Sequence, residues 1–128
     1  MEFMIKEGLQ AVNEIIVTEN DTASKLGSGD LDVFATPSMI ALMENTSKKV
    51  VEEMLPKGYS TVGIEVSIKH IKATPLGMKV KCQAVLEKVD GKKLTFNVEA
   101  WDEKGKIGEG THERFIINIE SFMNKIKG

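Results

Sequence analysis

The chain has almost no means of cross-linking itself. One cysteine, Cys82, in 128 residues excludes a disulfide framework and a cysteine-based zinc site. Aromatic residues are scarce, at 5% with one Trp and one Tyr, and 17 basic residues are outnumbered by 19 acidic ones. Nucleic-acid binding needs a basic footprint and usually stacking rings, so that class finds no support. No apolar run approaches the roughly 20 residues of a membrane-spanning helix. The opening residues, MEFMIKEG, carry acids where a signal peptide carries an apolar stretch. Neither internal repeat, low-complexity segment nor linker is present, and the length fits one domain over residues 1–128. The expectation is a soluble, cytoplasmic protein with no nucleic-acid or membrane partner.

What the chain does have is 41% hydrophobic residues in ordered patterns. Residues 33–44 read VFATPSMIALME and predict the start of a long buried helix. Thr36 suits the N-cap, where a hydroxyl accepts from an orphan N–H. Pro37 then falls at the first helical position, where its missing N–H costs nothing. Met39, Ile40, Leu42 and Met43 follow, with Glu44 as one carboxylate on a mostly apolar element. Pro56, Lys57 and Gly58 stop the helix near Leu55.

Before it, the β-branched end of residues 9–18 predicts a first strand, followed by a polar loop with a helical turn near residues 22–26. After it the period changes to two. Val62, Ile64, Val66 and Ile68 alternate with polar residues, and His70 continues their parity. Met78, Val80, Cys82, Ala84 and Leu86 form a second such run, Leu94, Phe96, Val98 and Ala100 a third, and residues 106–117 a fourth. Asp90-Gly91 and residues 102–105 (DEKG) are the turns between them. Residues 120–127 predict a short amphipathic helix carrying Phe122, Met123 and Ile126. The order strand, long helix, four strands predicts an α+β fold: an antiparallel sheet of about five strands wrapped around one helix, the hotdog architecture.

Three polar residues stand against apolar surroundings: Thr36, Glu44 and His70. Each has an ordinary structural reading. Thr36 can be a helix cap, Glu44 can pair with Lys48 at i,i+4 spacing, and His70 can be held by a backbone carbonyl. Together, a hydroxyl, a carboxylate and an imidazole are the parts of nucleophilic or general-base acyl transfer. A metal site is not expected, because the only other histidine is His112 and no ligand spacing is present. Gly63 sits inside a strand, where glycine marks a bulge, close packing or the approach of a ligand. Gly108 and Gly110 suggest packing or strand curvature. Arg114 is an arginine that could be paired or could hold an anionic group, and Phe34, just ahead of the helix, is a further substrate-contact candidate.

The segments VFATPSMIALME, GIEVSIKHIKATPLG and GEGTHERFII resemble the fluoroacetyl-CoA thioesterase-type branch of the hotdog thioesterases. That resemblance implies hydrolysis of an acyl-CoA, with coenzyme A as part of the substrate and no separate cofactor. It implies a catalytic Thr/Glu/His set on Thr36, Glu44 and His70, a glycine near the thioester carbonyl on Gly63, and a substrate-contacting arginine on Arg114. It also implies a homodimer with sites at the interface between long helices. Where that branch has aromatic lid residues, this chain has Gly27, Ser28, Gly29 and Asp30, which argues against fluoroacetyl as the acyl group. Two other functions share the fold: a non-catalytic acyl-binding module, and an enoyl-thioester hydratase, for which Asp30 is the only nearby aspartate.

Overall fold

Alternating and helical apolar patterns resolve into one layer of sheet and one of helix, in a computed structural model that describes residues 3–128. Strand β1 (Gln10–Ile16) leads through a 3-10 turn at Glu19–Asp21 and helix α1 (Ala23–Leu26) into helix α2 (Thr36–Val51). Strands β2 (Tyr59–His70), β3 (Lys79–Asp90), β4 (Lys93–Asp102) and β5 (Gly105–Asn118) follow, and α3 (Ile119–Lys127) ends the chain. All pairings are antiparallel, in the spatial order β1-β3-β4-β5-β2. This is the expected hotdog arrangement.

The core lies between α2 and the middle of the sheet. Val80, Cys82, Ala84 and Leu86 on β3, and Leu94, Phe96, Val98 and Ala100 on β4, are fully buried. They meet Met39, Leu42, Met43, Val50 and Val51 on α2. Two buried hydroxyls on α2 bond back to their own helix, Thr46 to Leu42 O at 2.7 Å and Ser47 to Met43 O at 2.8 Å, so neither is left unpaired. Helix α2 packs chiefly on β3 and β1, which leaves the β2 side of the inner face thinly covered.

Two expectations are corrected here. The helix N-cap is Ala35, not Thr36; Thr36 and Pro37 occupy the first two helical positions. No side chain caps the helix, and the Thr36 hydroxyl meets His70 instead. Second, β2 is not one uninterrupted half-buried strand. Its register against β5 slips between Gly63 and Glu65: Gly63 faces Arg114, Glu65 faces Glu113, and Ile64 is extra. Residues directly opposite on neighbouring strands share a face, and one inserted residue exchanges the faces beyond it. Thr61 and Gly63 before the bulge, and Val66, Ile68 and His70 after it, therefore all look inward. Val62 looks outward with Phe115. Ile64 and Val66 are 51% and 40% exposed, where α2 covers this edge strand only thinly.

Gly108 and Gly110 of β5 are spacers, as the packing reading expects. A Cβ on Gly108 would meet the Met39 sulfur at 2.5 Å, while one on Gly110 would collide with the Ser67 carbonyl oxygen on β2. A thioether tip can move and a paired backbone cannot. Gly110→Ala is expected to cost about 1–3 kcal/mol of stability, the usual range for overpacking, and Gly108→Ala less. Urea unfolding of both variants measures the difference; equal stabilities would place the crowding elsewhere.

Candidate active site

At the N-terminus of α2, Thr36 Oγ1 lies 2.8 Å from His70 Nδ1. The helix delivers the hydroxyl, and the β2 bulge delivers the imidazole to the same face. Thr36 is exposed and His70 half-buried. The other ring nitrogen, His70 Nε2, is buried without a protein hydrogen-bond partner. Burial pushes the His70 pKa below its ordinary 6.5, partly opposed by the Lys72 backbone, so the ring is neutral at pH 7 and able to accept a proton. The first helical turn adds N–H groups with no intrahelical partner and the positive end of the helix dipole. A cavity of about 340 Å³ opens beside the pair, lined by Ser28, Phe34, Thr36, His70 and Lys72 among others, within the size range of small-ligand sites. Phe34 itself is fully buried and forms part of the cavity wall.

The segment after His70 is braced by Asp102, which sequence reading took only for a turn residue. Its buried carboxylate receives Lys72 Nζ at 3.0 Å, Thr74 Oγ1 at 3.0 Å and the Lys104 N–H at 2.8 Å. Burial alone would raise the Asp102 pKa, but those donors outweigh it and hold the group below its ordinary value. Thr74 O in turn accepts from the Phe34 N–H at 2.8 Å. The strand end carrying His70 and the helix entry carrying Thr36 are thus tied to one anchor.

Glu44, Gly63 and Arg114 come together at a second place. Glu44 is eight residues beyond Thr36, roughly 12 Å along the axis at 1.5 Å per residue. A Cβ on Gly63 would lie 3.0 Å from Glu44 Oε2, 3.2 Å from His112 Cε1 and 3.5 Å from Arg114 Nη1. Gly63 is therefore a notch in the sheet into which a carboxylate, an imidazole and a guanidinium converge. Lys48 does not occupy Glu44; it pairs with Glu52 at 3.0 Å. Arg114 is 7% exposed and is fixed by β2: its Nε–H donates to Thr61 Oγ1 at 2.7 Å and its Nη2–H to Thr61 O at 2.9 Å. Within one copy of the chain, then, the sequence-predicted residues form two groups, Thr36 with His70 and Glu44 with Gly63 and Arg114. His112 belongs to the second group and was read from sequence only as a histidine without a metal. Its inward parity with Arg114 on β5 was the available signal.

Among the described residues no metal-binding cluster is present, and no helix is long and apolar enough to cross a membrane.

A family model described as fluoroacetyl-CoA-specific thioesterase matches residues 17–120. A fluoroacetyl-CoA thioesterase of Streptantibioticus cattleyicolor is 38% identical over 96 residues, spanning 75% of this chain and 69% of that protein. A variant of the fluoroacetyl-CoA-specific thioesterase, solved in complex with fluoroacetate and CoA, superposes with a TM-score of 0.88 at 31% identity, over 92% of this chain and 99% of that one. A Thermus thermophilus member of the thioesterase superfamily superposes with a TM-score of 0.87 at 32% identity, over 96% and 93% of the two chains.

Proposed function

The chain belongs to the fluoroacetyl-CoA-specific thioesterase family and is a hotdog-fold acyl-CoA thioesterase; from that premise we propose that it hydrolyses a small acyl-CoA at a site shared between two copies of itself. The observation that carries the reading is the 2.8 Å contact between Thr36 Oγ1 and His70 Nδ1 at the start of α2. With the ring proton on Nε2, Nδ1 accepts from the Thr36 hydroxyl. His70 then takes a proton as the hydroxyl, or a water it holds, attacks the thioester carbon, and returns it to the thiolate as the C–S bond breaks; where the hydroxyl attacks, a water then cleaves the acyl-threonine ester with His70 again as base. First-turn N–H groups, with the backbone at Gly63, face the developing oxyanion. Glu44 supplies the carboxylate that orients His70 or acts on the water. Phe34 and Arg114 contact substrate, and the exposed residues Gly27, Ser28, Gly29 and Asp30 set acyl choice in place of an aromatic lid.

Two groups about 12 Å apart along one helix cannot act on one carbonyl, which supports a second copy of the chain. The unpaired outer edge of β2, with Ile64 and Val66 exposed, is the surface such a copy would cover. In a two-fold dimer each site would take Thr36 and His70 from one protomer and Glu44, Gly63 and Arg114 from its partner.

The test is a panel of acetyl-, isobutyryl- and benzoyl-CoA followed by free-thiol release. The expected result is turnover of at least one, with kcat/KM about 10²-fold lower or more in Thr36→Ala and largely kept in Thr36→Ser. Tight binding of the acyl-CoAs without thiol release would overturn catalysis in favour of a binding module.

A further inference from the structure

We infer that His112 is a positioning residue: a neutral imidazole that holds the Arg114 guanidinium clear of Glu44 and so keeps the Glu44 carboxylate free to act. This rests on the proposed role of Glu44 in thioester hydrolysis.

The hydrogen bonds fix the state of the ring. His112 is 1% exposed, with Phe96 stacked at 6.5 Å between centroids. His112 Nδ1 lies 2.8 Å from the Glu65 carbonyl oxygen, which only accepts, so Nδ1 carries a proton. Arg114 Nη1 lies 3.1 Å from Nε2, and a guanidinium only donates, so Nε2 is bare. Both nitrogens are satisfied in one tautomer, and protonation would break the contact with Arg114. Burial, which lowers the His112 pKa, and the Arg114 charge both favour that neutral form, against the Glu65 carbonyl and the nearby Glu44 and Glu113 charges.

The consequence falls on Glu44. A buried arginine beside a carboxylate ordinarily closes into a two-point ion pair. Here Nε, Nη2 and Nη1 are directed to Thr61 Oγ1, Thr61 O and His112 Nε2, and among the described residues Arg114 and Glu44 form no ion pair. The two still sense each other, since the Glu44 charge acts on Arg114. Arg114 thus provides field without capturing the carboxylate. The bulge makes this possible, because the Glu65 carbonyl that orients His112 belongs to the residue immediately after the extra Ile64.

The experiment compares His112→Leu and His112→Gln in the full-length protein, with the fastest of acetyl-, isobutyryl- and benzoyl-CoA. Leucine removes the acceptor and frees Nη1 to swing onto Glu44, so kcat is expected to fall about 10- to 100-fold with KM within about threefold. The glutamine carboxamide can donate to Glu65 O and accept from Arg114, and is expected to restore most of kcat. In an Arg114→Lys background, the leucine change is expected to add little. Nitrogen-15 NMR of the wild-type histidine rings supplies a readout independent of turnover: His112 should be protonated on Nδ1 and bare on Nε2 at pH 7. An Nε2–H tautomer or an imidazolium, unchanged kcat in His112→Leu, or an equally large leucine effect in the Arg114→Lys background would each overturn the inference. Absence of turnover in the wild type would count against the thioesterase reading, and the NMR signature would then decide the clamp by itself.

Discussion

His70→Ala is expected to lower kcat/KM for thioester hydrolysis about 10²- to 10⁴-fold, the range carried by a positioned acid–base group. One oxyanion donor adds about 10²–10³-fold, so neither effect alone reaches the roughly 10⁶-fold typical of enzymes, and both must operate. The fold should survive, because His70 sits at the end of an edge strand and its Nε2 bonds to nothing in the protein. The pH profile gives the sign of the effect. Burial lowers the His70 pKa, and the base is active when neutral. The acid limb of kcat/KM in the wild type should therefore fall below pH 6.5, and activity should be lost as pH drops through it. Stopped thiol-release assays across pH 4.5–8 on both proteins measure this. An alanine variant within threefold of wild type would remove His70 from the proton path.

Glu44→Gln is expected to cost a comparable 10²- to 10³-fold in kcat if the carboxylate acts as base or orients the imidazole. Its more informative use is in mixing. Thr36→Ala removes one half of the proposed set and Glu44→Gln the other. If each site draws its halves from different protomers, a random mixture of the two inactive proteins forms about half mixed dimers. Each mixed dimer has one doubly impaired site and one intact site, so the mixture should recover about a quarter of wild-type activity. If both halves came from the same protomer, mixing would recover nothing. The assay separates the two arrangements without a structure of the dimer, and light scattering on the same samples reports whether a dimer is present.

Sheet, helix and turns were legible in the sequence because their signals are local. The runs from Val80 and Leu94 alternate without interruption and are fully buried on one side. Asp90-Gly91 closes the hairpin with Gly91 at φ 61°. The β2 run misled for a physical reason: an apolar alternation continues unbroken through Ile64, while the backbone pairs as though one residue were missing. Register against β5 is a non-local property, set by Arg114 and His112 on another strand, and periodicity along β2 does not contain it. Thr36 has the right chemistry for capping, but the helix begins after Ala35 with no side-chain cap, and the Thr36 hydroxyl meets a histidine 34 positions on, which local sequence does not contain. Thr36, Glu44 and His70 were each conspicuous as polar residues in apolar company, but their division into two groups depends on helix length and strand face. In sequence Asp102 reads only as a turn residue and His112 only as a histidine without ligand spacing, because their anchoring partners are distant in the chain.

The extra residue in β2 has a hereditary consequence. Gly63 and His70 are seven positions apart, an odd number, and would sit on opposite sides of an unbroken strand. They share a side because Ile64 is present, with little demand on what Ile64 is. Losing a single codon there would turn His70 away from Thr36 while leaving every other amino acid of the chain unchanged. The spacing that puts Gly63 and His70 on one face of the sheet is inherited as a count of residues, and it is as vulnerable to a three-nucleotide deletion as the site is to the loss of its histidine.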